Sequence, residues 1–138
     1  MDVMMMVTAD YASVSQSGKF TLVDAGFTEI NAKQVPYTHP MMFLFVRLKI
    51  TRKDVGKNKV VIRLVGEKGL VSKPIEINLD VKMNENSGGE QFINIPWQLI
   101  NTKFETVGDY NFEIQINGDI PRLWQTLKVK LIQTKQAS

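Results

Sequence analysis

The chain contains no cysteine, which by counting alone excludes disulfides, thiolate nucleophiles, zinc ribbons and iron–sulfur ligation. Histidine occurs once, as His39 in VPYTHPMM, so a transition-metal site would have no second imidazole or thiolate to complete it. No segment approaches the roughly 18 apolar residues of a membrane span. The opening MDVMMMVTADY carries Asp2 where a secretory signal carries positive charge, and its apolar run falls short of the roughly 7 to 15 residues of a signal core. These absences lead us to expect a cytoplasmic protein without membrane contact. A basic stripe is missing too. The 17 Lys and Arg against 14 Asp and Glu give a net charge of only +3, which argues against nucleic acid as a partner. Nucleotide-binding glycine loops, a GxSxG elbow and an HExxH helix are all missing, so the common signs of nucleotide, hydrolase or zinc-protease chemistry are lacking. We expect no enzyme activity and no cofactor.

A sustained 3.6-residue period is also lacking, and what is present is alternation, the signature of strands. The 138 residues suit one domain, assigned to residues 1–134 with a tail at 135–138. In MMFLFVRLKI, Met42, Leu44, Val46, Leu48 and Ile50 share one face and Phe43, Phe45, Arg47 and Lys49 the other. The DVGKN stretch predicts a hairpin into KVVIRLVG. PIEINLDVK has one wet face. KMNENSGGEQ, with Gly88 and Gly89, reads as the most mobile internal loop. FINIPWQLI carries Pro96, which has no amide to donate and so predicts an edge strand; a short helical turn is expected near 98–104. Asn117-Gly118 is a hairpin signal, because a type I′ turn needs positive φ at both central positions. In the strand after that turn, Leu123, Gln125, Leu127, Val129 and Leu131 form the inward set.

About eight strands joined by short turns predict an all-β, antiparallel β-sandwich, with an immunoglobulin-like topology first and a jelly roll second. Tyr110, just after the turn at Gly108, has the placement of a tyrosine corner.

The candidate sites lie on strand faces. Phe43, Phe45 and Arg47 lie on a nominally outer face that must be covered by another segment of the chain or by a second subunit. Trp124 falls outside its strand's inward set, in a row with Arg122, Lys128 and Lys130, a composition suited to a protein partner, a carbohydrate or an acidic ligand. The favoured function is therefore a non-enzymatic interaction or structural module, self-associating or part of a larger assembly. A module for small molecules or carbohydrate is the alternative, and an enzyme or metal protein centred on His39 or the glycine-rich loop a weaker one.

TADYASVSQSGKF, at 8–20, reads as strand, turn and strand. Tyr11 is expected to anchor inward and Gly18 to supply the turn's backbone freedom; Asp10, polar at the end of a strand apolar on both faces, has no assigned role. With Ala-Asp-Tyr-Ala at 9–12, Gly18-Lys19, Gly26-Phe27, Pro36, His39-Pro40 and Gly108-Asp109-Tyr110, the chain resembles a family of short bacterial and phage-associated proteins of unknown function. The resemblance implies one domain and carries no activity. The VDAGF stretch departs from its pattern and leaves the role of Asp24 open.

Overall fold

The computed structural model describes residues 1–84 and 88–132. It is all-β, with eleven strands among the described residues: β1 (Asp2–Ala9), β2 (Tyr11–Val14), β3 (Phe20–Val23), β4 (Glu29–Ala32), β5 (Tyr37–Thr51), β6 (Gly56–Gly66), β7 (Gly69–Leu70), β8 (Ile75–Val81), β9 (Glu90–Phe104), β10 (Gly108–Ile116) and β11 (Arg122–Leu131). They form a three-stranded sheet β1-β5-β9, a larger sheet running β4-β11-β10-β6 with β7 and β8 both paired to β6, and the ribbon β2-β3.

The alternation in β5 explains the layering. Its Met42, Leu44, Val46 and Leu48 join Ile62, Phe112, Ile114, Leu127 and Val129 of the large sheet in one buried core. Its other face is also apolar, and Phe43 and Phe45 pack there with Ala12, Val14, Phe20 and Leu22 of the ribbon. The small sheet is thus a middle layer, which is why β1 and β5 can be apolar on both faces without exposing them. β9 closes the small sheet at its rim, in agreement with the edge expected from Pro96. Asn117 and Gly118 take φ of 50° and 75°, and Asp119 N–H donates to the Ile116 carbonyl at 2.9 Å, the turn that NG predicts.

Several expectations are corrected. The large sheet is not purely antiparallel, because β4 pairs parallel to β11. DVGKN does not make a hairpin. A 3-10 turn at Arg52–Asp54 carries the chain from the small sheet into the large one. Asp54 organises this crossing by accepting the Thr51 amide at 2.8 Å and the Met1 ammonium at 3.0 Å. Burial pushes the Asp54 carboxyl up, but these two partners outweigh it and hold it below its ordinary value. No helical turn occurs at 98–104, where β9 continues. Asn101 instead takes φ 53° opposite Pro40, which has no amide to complete the ladder there.

Tyr11 is not an inward anchor. β1 ends at Ala9, the chain bends at Asp10, and the Asp10 amide bonds to Val23 at 3.0 Å. That break resets the alternation and leaves Tyr11 48% exposed, its ring edge-on to Phe43. Leu123 and Leu131 are not core either. A bulge at Trp124 shifts the β10–β11 register, so Leu127 and Val129 face inward while Leu123 is 61% exposed. Residues 85–87 of the glycine-rich loop and the tail 135–138 fall outside the described residues.

Candidate functional site

Three places merit scrutiny as sites, and the first is closed. Phe43 and Phe45 are buried beneath the β2-β3 ribbon of the same chain, with the Phe20 and Phe45 ring centres 4.6 Å apart. A covering segment, not a second subunit, meets the need that the sequence left open. Arg47 is spent in holding that cover. Its guanidinium carbon lies 4.2 Å from the Phe92 ring centre and 5.5 Å from that of Phe20, and Nη1 donates to Asn94 Oδ1 at 2.9 Å. Asn94 in turn donates to the Gly18 carbonyl at 3.1 Å, so the ribbon's turn, where Gly18 takes φ 81°, is docked onto β9.

The second place is the end of β11. Segment 120–124 leaves three large apolar side chains in solvent: Ile120 is 86% exposed, Leu123 61% and Trp124 36%. The cause is local. The turn at 117–118 carries Ile120 clear of the sheet, and the bulge at Trp124 throws Leu123 out of the core phase. The cationic row expected around Trp124 is partly paired: Lys130 is 2.8 Å from Glu29, whose carboxyl it holds below the ordinary range, and Lys128 stands opposite Asp109 in the β10–β11 register. Arg122 remains beside the apolar group, at the start of β11. The surface is therefore apolar with one guanidinium.

The third place was not found from the sequence. Asp10, Asp24, Phe27, Glu29, Tyr37 and His39 line a cavity of about 280 Å³. The residues come from the bend after β1, the loop after β3, β4 and the start of β5, and Asp10 and Asp24 were the two carboxylates without an assigned role. His39 Nδ1 lies 3.1 Å from Tyr37 Oη. Burial pushes the His39 imidazole below its ordinary 6.5, and the Asp10 charge opposes that shift only in part. Among the described residues no group of three His, Asp or Glu is placed to hold a metal ion. The sequence signals were an isolated Asp10 ending an apolar strand, the unassigned Asp24 and the lone His39; nothing connected them, because the lining residues are gathered from four separated segments.

The His39 shift has a measurable consequence. Because the fold lowers its pKa, the unfolded chain binds the proton more tightly. The stabilisation from neutral His39 is fully present above about pH 6.5 and is lost as pH falls through the folded value. Stability in urea is expected to decline as pH falls below about 6.5, and to decline less in His39→Gln. Asp54 and Glu29, also lowered, act in a separate window, below their ordinary values of 3.8 and 4.5. Identical slopes for the two proteins over the upper window would contradict the assignment.

Tyr110 bonds back to the turn that precedes β10. It is buried, donates from Oη to the Thr106 carbonyl at 2.7 Å, and accepts from the Thr106 amide at 3.3 Å. Gly108, at the head of that strand, has φ 132°, a conformation that disfavours any side chain.

No helix among the described residues is long and apolar enough to cross a membrane. The chain matches no curated protein and no solved structure. A family model, described as a family of unknown function (DUF6941), matches residues 4–129. That match takes in nearly every strand described above, and the protein belongs to this family.

Proposed function

We propose that the protein is a non-enzymatic interaction module of cytoplasmic origin, an immunoglobulin-like β-sandwich that presents segment 120–124 to a protein partner. The observation that carries the reading is the exposure of Ile120, Leu123 and Trp124 together on five consecutive residues, with Arg122 among them. Tryptophan and arginine dominate the energetics of protein interfaces, and an apolar group of this kind is costly to leave in water without a use. The sandwich part of the reading draws support from two sheets sharing one core and from the Tyr110 hydrogen bond to Thr106. A larger assembly, with this chain as one component, is the setting in which such a surface would be used; the family resemblance bears only on the single domain. A carbohydrate or anion reading is weaker, since the neighbouring lysines face carboxylates of their own.

Photo-crosslinking in the native cell tests this. A crosslinker at Leu123 is expected to trap one protein that a crosslinker at Lys57 does not. That protein, purified, should bind Trp124→Ala at least tenfold more weakly than the wild type, as about 2 kcal/mol from one anchoring tryptophan would give. Because Trp124 is only 36% exposed, Trp124→Ala will also lose some packing, so binding is compared at a temperature where urea unfolding shows both proteins folded. Equal binding by the variant, or equal trapping at the two positions, would overturn the proposal.

A further inference from the structure

A second surface, independent of segment 120–124, lies along β9. The strand is fifteen residues long and ends the small sheet, with β5 on one side and, among the described residues, no strand on the other. Its core-facing Ile93, Ile95, Trp97 and Leu99 are only half-buried, whereas Met42, Leu44, Val46 and Leu48 of the adjacent β5 are fully buried. The difference arises because no described strand continues the sheet past β9. On the other face Phe92 is 45% exposed and Ile100 63%. From 91 to 102 the strand has no charged side chain. Such an edge is a template for pairing with another strand, and proteins that must avoid pairing usually place charges along it.

The order of residues identifies the occupant. Read outward from Pro96, the strand is chemically symmetric: Ile95 and Trp97 are apolar, Asn94 and Gln98 are amides, Ile93 and Leu99 are aliphatic, Phe92 and Ile100 are apolar, and Gln91 and Asn101 are amides. We infer that β9 pairs antiparallel with β9 of a second copy of this chain about a twofold axis through Pro96, joining two three-stranded sheets into one of six. In that register each side chain meets one of its own kind, Phe92 opposite Ile100 of the second copy and Asn94 opposite its Gln98. Direct cross-strand pairs of this sort are what stabilise a sheet. The ends agree as well. Glu90, 3.4 Å from Lys49, falls opposite Thr102 and next to Lys103 of the second copy, a residue 3.4 Å from Glu105 in its own chain, so no like charges are brought together, whereas a parallel in-register pairing would set Glu90 against Glu90. Pro96 sits on the axis, where its missing amide removes hydrogen bonds at the centre alone and leaves both arms to pair.

The absence of cysteine makes the test direct, because any disulfide must come from the residue introduced. Residues directly opposite in an antiparallel pair have Cα atoms about 4.5 to 5.5 Å apart, within disulfide range. The full-length chain is expected to sediment as a dimer at about 100 µM. Under mild oxidation Pro96→Cys should form a covalent dimer at least tenfold faster than Ile100→Cys, since position 100 faces position 92 rather than itself. Ile100→Lys should weaken the dimer at least tenfold while leaving the fold intact, and Leu123→Asp should leave it unchanged. A wild type that stays monomeric at that concentration, or equal crosslinking rates for Pro96→Cys and Ile100→Cys, would overturn the pairing.

Discussion

Phe45→Ala is expected to destabilise the protein by about 3–5 kcal/mol, the cost typical of emptying a buried aromatic site. Phe45 is fully buried although it lies on the face of β5 opposite the main core. Its burial depends on the β2-β3 ribbon, and the Phe20 ring, tilted 36° to its own at 4.6 Å, is the largest group the ribbon places over it. Truncation therefore removes transfer energy and also the contact that holds the ribbon down. Arg47 and Asn94 would still tether the turn near Gly18, so local opening should precede global loss. Urea unfolding should show the lowered midpoint, and amide exchange in segment 11–23 should accelerate before exchange in β10. A loss below about 1 kcal/mol would mean that the ribbon does not seal this face.

The second large effect is expected at Gly66. A Cβ there would stand 2.6 Å from Cε1 and 2.8 Å from Cδ1 of Tyr110, well inside van der Waals contact. The ring cannot move aside freely, because Oη is bonded to Thr106 on one side and the ring packs edge-on to Phe104, 4.9 Å between centres, on the other. Gly66→Ala should therefore cost about 1–3 kcal/mol by overpacking. The mechanism has its own control. Removing the ring in Tyr110→Ala gives the new methyl room, so the double variant should be more stable than the sum of the two losses allows. Strict additivity would place the cost of Gly66→Ala elsewhere.

The strands and the Asn117-Gly118 turn were legible because alternation and turn chemistry are local properties, read within a few residues. Tyr110 was legible for the same reason, its partner Thr106 being four residues away. What failed was phase. Tyr11 and Leu123 each lie next to an interruption, the bend at Asp10 and the bulge at Trp124, and alternation counted through an interruption assigns the wrong face to the residues on its far side. Phe43 and Phe45 posed a different problem: the sequence shows that they need a cover but not which segment supplies it. The cavity at Asp10, Asp24 and His39 depends on contacts among four separated segments, and no spacing rule connects them. Asp10 was visible only as an anomaly; it lies exposed at the bend that ends β1, on the wall of this cavity.

The central claim is that the ribbon of the same chain closes the Phe43 and Phe45 face while segment 120–124, the surface we propose for a protein partner, stays exposed. Hydroxyl-radical footprinting of the native protein tests it most directly, because modification tracks side-chain exposure residue by residue. The account predicts rapid labelling of Ile120, Leu123 and Trp124 with Phe43 and Phe45 protected. Labelling of Phe43 and Phe45 as fast as that of Trp124 would contradict it.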